Sequence, residues 1–197
     1  MVKVGFIVEG DAEKQIISSE LFKTFCHNKG IEVMNGVFPP HKKERGKDVF
    51  KNAEKLMAFV AILHDMGADF IFCMRDLDDS PCITAAKDEI KLTNEKIRKI
   101  IVVQQIETWF LGDMPLMKKY FVENLLSLFP ELAIPELISK PDEKLKEISV
   151  ATRNGKGISD KLLFAKSLIR NGFSIENSAQ NCPSATYFLN KLTQISS

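Results

Sequence analysis

Val2-Lys3-Val4-Gly5-Phe6-Ile7-Val8, closed by Glu9-Gly10-Asp11, is the stretch on which the reading of this chain turns. Apolar residues fill nearly every position from 2 to 8, and Gly and Asp interrupt them at once. That is the pattern of a buried strand running into a tight turn. Working outward, Ile17, Leu21 and Phe25 recur at every fourth position with Phe22 beside them, predicting one apolar helix face that ends near Lys29 and Gly30. Residues 31–38 read as a second strand, closed by Pro39 and Pro40. Val49, Ala53, Leu56, Met57, Val60 and Leu63 keep the helical period up to Gly67, ahead of an apolar strand over 70–74 and an acidic turn over 76–79. Ser80 and Pro81 suit the cap and first position of a third helix running through Glu95, and residues 100–103 supply a fourth strand. Strands alternating with amphipathic helices predict an α/β core with a mostly parallel four-stranded sheet and helices on both faces.

The core so defined covers residues 1–113. Beyond it the stretches 114–129, 142–149, 160–171 and 184–195 read as helices separated by Pro and Gly, predicting an α-helical C-terminal extension, 114–197, packed on the core. A chain of 197 residues with 45% apolar and 27% charged residues has the composition of a soluble globular protein, not of a disordered or collagen-like one. No apolar stretch has the length of a bilayer-spanning helix, and the first residues lack the pattern of a secretory signal, so the expected location is cytoplasmic, without a membrane partner. Lys and Arg total 27 against 26 Asp and Glu, so the net charge of +1 offers no overall field for a polyanion and any nucleic-acid contact must be local. Cys26, Cys73, Cys82 and Cys182 form no C-x-x-C pair, and His27, His41 and His64 stand at neither zinc-ligand spacing nor near a Ser or Cys motif. Buried reduced thiols are expected.

The acids fall at telling places. Glu9 follows the first strand, Asp76 and Asp78 the third, and Glu107 comes shortly after the fourth. A parallel sheet brings such groups towards the carboxyl ends of its strands, the edge at which open α/β sheets bind ligands. Two carboxylates about 4 Å apart repel by roughly 4 kcal/mol at an effective dielectric near 20, which a proton or a cation must offset. Oxygen ligands without Cys or His favour Mg²⁺, Mn²⁺ or Ca²⁺ over zinc. The plainer alternative is that each acid is a turn or cap residue: Asp79 stands well for an Asx-turn before Ser80, and Glu13, third in a helix capped by Gly10, complements the helix dipole.

Val4-Gly5-Phe6-Ile7-Val8-Glu9-Gly10-Asp11-Ala12-Glu13 resembles the first motif of TOPRIM domains, a hydrophobic strand followed by Glu-Gly, in the VEGxxE form of the overcoming-lysogenisation-defect and RloB-like defence proteins. Arg75-Asp76-Leu77-Asp78 is similar to the DxD motif of the same group. Gln105-Ile106-Glu107-Thr108-Trp109-Phe110-Leu111 resembles the segment that follows in its small members, and Asn181-Cys182-Pro183-Ser184 with Phe188 and Leu189 is similar to their helical tail. The resemblance implies a TOPRIM-like, Rossmann-like core. It further implies Glu9 as catalytic acid or base, Asp76, Asp78 and Glu107 as ligands of Mg²⁺ or Mn²⁺, Glu13 and Asp79 as supporting acids, and a role in phage defence. The sequence departs from the overcoming-lysogenisation-defect nucleases, which carry an ATPase domain, and from primases and topoisomerases, which carry long DNA-binding regions, so processive or topological activity is not expected.

Lys42, Lys43, Arg45 and Lys47 form one short basic cluster; Lys156 lies inside a Gly-x-Gly turn and Lys161 follows it. These are the candidate phosphate or nucleic-acid contacts. Gly155-Lys156-Gly157-Ile158-Ser159 lacks phosphate-loop spacing and follows no strand, so Ser159 is expected to cap the next helix. Trp109 and Phe110 are expected in a core. Two functional expectations result: a metal-dependent enzyme cleaving DNA or RNA phosphodiesters, or a non-catalytic module binding a partner protein or a nucleotide.

Overall fold

The computed structural model describes residues 1–40, 46 and 48–196. The basic cluster Lys42, Lys43, Arg45 and Lys47 therefore lies outside the described residues. The strands are β1 (Val2–Val8), β2 (Ile31–Phe38), β3 (Phe70–Asp76) and β4 (Ile97–Val102), in the spatial order β2-β1-β3-β4. β1 runs parallel to β2 on one side and to β3 on the other, with Gly5 opposite Ile71 and Ile7 opposite Cys73. The fold is Rossmann-like α/β: a four-stranded parallel sheet with flanking helices, followed by a helical C-terminal region.

By backbone contact the chain divides into two compact units, Met1–Ile101 with Asn190–Ser197, and Val102–Leu189. In the first, the helices are α1 (Asp11–Ile17), α2 (Glu20–Asn28), α3 (Asp48–Lys51), α4 (Ala53–Asp65) and α5 (Ile83–Glu89). Side chains alternate across the sheet as the pleat requires. Ile7, Ile71, Cys73 and Ile101 face one way, into a core with Phe50, Leu56, Phe59 and Leu63 of α3 and α4 and Ala86 of α5. Phe6 faces the other way, with ring centroids 6.0 Å from Phe22 of α2 and 5.6 Å from Phe72. Gly5 lets α4 come close: a Cβ there would stand 2.8 Å from the side chain of Leu63.

The second unit holds α6 (Glu107–Gly112), α7 (Met114–Tyr120), α8 (Leu125–Leu128), two short 3₁₀ turns (Pro130–Ala133 and Pro135–Leu137), α9 (Pro141–Thr152), α10 (Lys161–Arg170) and α11 (Ile175–Ser178). The last helix, α12 (Pro183–Gln194), runs across the boundary at Leu189. Leu111, Met117, Leu125, Phe129, Leu132, Leu145 and Ile148 make the core of this unit.

Several helices are shorter than their apolar periodicity suggests. The first breaks at Ser18, because the Ser19 hydroxyl accepts from the Phe22 amide and starts a new helix. The second breaks at Asn52, whose side chain caps α4 through the Lys55 amide. The third does not start at Ser80 or reach Glu95. Ser80 Oγ is turned towards Glu89 Oε1 at 3.4 Å, so the cap passes to Cys82, and the helix ends at Glu89, ahead of an Asn94 turn that accepts from the Lys96 amide. The stretch 114–129 divides into α7 and α8. Asp160, not Ser159, caps α10, its carboxylate accepting from the Leu163 amide at 2.9 Å.

Candidate functional site

The first unit concentrates its charged chemistry where β1 and β3 end. The Glu9 amide extends the β1–β3 ladder by donating to the Met74 carbonyl at 3.0 Å. Its carboxylate Oε2 then accepts from the Asp76 amide at 3.2 Å. The side chain of one motif is thus anchored on the backbone of the other, two strands whose acids lie 67 positions apart in sequence. Gly10 caps α1, and Glu13, 2% exposed, folds back over it: a Cβ on Gly10 would lie 2.7 Å from Glu13 Oε2. Gly10 has extended backbone, φ −127° and ψ 179°, so the requirement for glycine is one of space.

Arg75, directly before Asp76 and 1% exposed, is a residue whose contacts local pattern does not disclose. Its Nε donates to the Asp76 carbonyl at 3.1 Å and lies 3.9 Å from Glu9 Oε2. Its Nη1 donates to Glu89 Oε2 at 2.7 Å. Glu89 also lies 3.7 Å from Lys51 Nζ. The hydrogen bond from Arg75 leads the influences that hold the Glu89 carboxyl below its ordinary range. Lys51, Arg75, Asp78, Asp79, Ser80, Pro81 and Glu89 line a cavity of about 130 Å³. That is below the roughly 300–1,000 Å³ of pockets that enclose small organic ligands. Asp78, with φ +45°, turns the chain into this cavity wall.

Among the described residues, no group of three or more His, Cys, Asp or Glu is arranged to hold a metal ion. What the structure brings together is the Glu9 carboxylate and the backbone amide of Asp76, with Asp78 and Asp79 lining the neighbouring cavity. Oxygen-only donors are of the kind Mg²⁺ takes, as one or two carboxylates completed by water and phosphate oxygens.

Glu107 belongs to the second unit, as the first residue of α6. Together with Phe110, Asp142, Lys146 and Lys161 it lines a cavity of about 10 Å³, room for roughly one water. Lys161 Nζ pairs with Asp142 Oδ2 at 2.7 Å. Burial pushes the Asp142 carboxyl up, but hydrogen bonds from Lys161 and Lys146 outweigh it and leave it below its ordinary value. Lys161, a candidate phosphate contact, is thus held by a carboxylate; Lys156 is exposed and lends its carbonyl to Ser149 Oγ at 2.7 Å.

The segments 105–112 and 178–189 meet inside the second unit. Trp109, fully buried, stacks on Phe188 at 5.5 Å and donates from Nε1 to Ser184 Oγ at 2.8 Å. Asn181 Nδ2 donates to the Gly112 carbonyl at 2.8 Å, and Ser178 Oγ to that of Trp109 at 2.7 Å. A Cβ on Gly112 would stand 2.4 Å from Cys182 Sγ. Asp113, fully buried, caps α7 and accepts from the Ser174 amide and Asn177 Nδ2. Trp109 and Phe110 are core residues, and the tail motif serves as the seat of α6.

Compared with known families, the chain matches the model described as Domain of unknown function (DUF4276) over residues 8–193, a span that takes in both units. No curated protein and no solved structure matches it.

Proposed function

We propose that this chain, which belongs to the DUF4276 family, is a TOPRIM-like enzyme that cleaves nucleic-acid phosphodiesters with Mg²⁺ or Mn²⁺ and acts in defence against phage. The observation that carries this reading is the hydrogen bond from the Asp76 amide to Glu9 Oε2, which joins the two acidic motifs at one end of the sheet. Glu9 and the turn that holds Asp78 and Asp79 follow the parallel strands β1 and β3, and the carboxyl ends of such strands are where α/β folds hold their ligands.

In this mechanism Asp76 and Asp78 would hold the ion as hard oxygen donors. When bound, it would supply charge neutralisation at the scissile phosphate and acidify water. Glu9, whose carboxylate accepts from the Asp76 amide, would serve as the acid or base that moves the proton. Arg75 and the Asp76 amide fix that carboxylate's orientation. Glu13 and Asp79 support the turn and cavity wall. The cluster Lys42, Lys43, Arg45 and Lys47 would contact phosphates locally, as a net charge of +1 requires. No step is assigned to Glu107.

Incubation of the purified protein with single- and double-stranded DNA and RNA tests this reading. Cleavage is expected with Mg²⁺ or Mn²⁺ and is expected to fall by about 10²–10⁴ in Glu9→Gln. Absence of cleavage, together with Mn²⁺ binding unchanged in Asp76→Ala, would overturn it.

The near-neutral net charge of +1 supports a second reading, a non-catalytic module for a partner protein or nucleotide. It expects Glu9→Gln, stably folded, to keep protection in a phage-challenge assay.

A further inference from the structure

We infer that the turn closing α9 is a contact for single-stranded nucleic acid, where the Arg153 guanidinium receives an unstacked base and Lys156 an adjacent phosphate. This rests on the nucleic-acid reading above and names the form of the substrate. The second unit uses its cations in two ways. Lys118, Lys140, Lys144, Lys146 and Lys161 each pair with an acid of the same unit. Among the described residues, Lys119, Arg153, Lys156, Lys166 and Arg170 have no carboxylate within ion-pair distance. These acid-free cations belong to the segments that meet at Tyr120. Lys119 precedes Tyr120, Lys166 precedes Ser167, and Arg170 stands about one turn beyond Ser167 in α10. Tyr120 Oη and Ser167 Oγ share a hydrogen bond at 3.0 Å.

Arg153 is held in place by that pair. Its Nη1 donates to Tyr120 Oη at 3.4 Å, and its Cζ lies over the Tyr120 ring, 5.3 Å from the centroid. The ring is itself set by edge contacts with Phe121 at 5.1 Å and Phe164 at 5.7 Å. Arg153 is nonetheless exposed, and most of its N–H donors are left over. The turn that follows is anchored from within. The Arg153 amide donates to the Ser149 carbonyl at 3.0 Å, the Lys156 amide to the Arg153 carbonyl at 3.1 Å, and Ser149 Oγ to the Lys156 carbonyl at 2.7 Å. Between the two cations the chain bends through Asn154 (φ +53°) and Gly155 (φ +77°), and no atom stands within 4 Å of where a Gly155 side chain would begin. A strand can therefore come close to this backbone.

A charge at the end of α9 would complement the helix dipole whether Arg or Lys carried it. A guanidinium does more, since its plane stacks on an unpaired base and its fork takes phosphate. Because Tyr120 already orders the Arg153 side chain, less entropy is lost when a base settles on it. A duplex keeps its base faces covered, and an acidic peptide has none to offer.

Fluorescence anisotropy of the full chain with labelled oligo(dT) provides the test, in EDTA so that no metal acts, with circular dichroism to confirm folding. Oligo(dT) is expected to bind at least about five-fold more tightly than an abasic strand or a duplex of equal length. Arg153→Ala is expected to abolish that preference for bases, and Arg153→Lys to keep binding to phosphates without restoring it. Lys156→Ala is expected to weaken oligo(dT) and the abasic strand alike and to lower the salt slope by about 0.7. Should Arg153→Ala fail to fold, Arg153→Gln carries the same comparison. Equal affinity for oligo(dT) and the abasic strand, a preference for bases that survives Arg153→Lys, competition by poly-glutamate as strong as by oligo(dT), or no binding of oligo(dT) overturns the inference. The metal-dependent reading is judged separately, by cleavage: base-dependent binding through Arg153 in a chain that cuts no nucleic acid upholds the inference and counts against that reading alone.

Discussion

At Gly10 the need for glycine comes from a neighbour. Because Glu13 is buried and its carboxylate covers the Gly10 α-carbon, Gly10→Ala is expected to destabilise by about 1–3 kcal/mol, measured as a lower urea midpoint. In a Glu13→Ala background most of that loss should disappear. The spacing of Gly10 and Glu13 was visible in sequence because both sit on one helical turn. Arg75 and Glu89 were not, since their contact spans 14 positions and depends on where α5 ends. Their pair has a pH signature. Glu89 has a folded-state pKa below its ordinary value, so the pair's contribution is present above about pH 4.3 and is lost as pH falls through the folded value. The melting-temperature difference between wild type and Glu89→Gln is therefore expected to be largest near neutrality and to shrink in acid. A difference that grows on acidification would contradict the assignment.

Among elements, α6 shows how much of a short helix depends on its surroundings. Six residues cannot sustain a helix by propensity. Trp109, Ser178, Asn181 and Ser184 supply the rest, and Gly112 admits the Cys182 sulfur where a side chain would stand. Gly112→Ala is expected to lower the unfolding midpoint strongly, by about 1–3 kcal/mol or more, and Cys182→Ala to recover part of it. Only part is expected, since the Ser178 carbonyl would remain 3.2 Å from the new methyl. The strands were legible because β1 and β3 are buried on both faces, leaving continuous apolar runs. Helix ends were less so. Ser19 and Asn52 are good caps standing inside an otherwise regular apolar period, and the period masked them; at α5 a side-chain contact with Glu89 drew Ser80 away from capping.

For the whole molecule, the sheet order and helical tail follow from the alternation of apolar segments, whereas the division of the chain does not. Periodicity changes at Asp113, but compact packing divides at Ile101 and gathers residues 190–197 with the first unit. Local pattern carries no information on which distant segment fills a given core. Leu192 and Ile195 are buried, so removing residues 190–197 is expected to lower the stability of the first unit, read as loss of near-ultraviolet dichroism at a lower temperature. Replacing residues 102–189 by a Gly/Ser linker, which keeps that segment, is expected to preserve a folded sheet better than ending the chain at 101. A unit closed by a segment so far along the chain also has a consequence during synthesis. All four strands leave the ribosome well before residues 190–196 do, and translation proceeds at only about 5–20 residues per second. The nascent sheet must wait several seconds with its surface incomplete, an interval in which chaperones rather than the chain's own last turn would shield it.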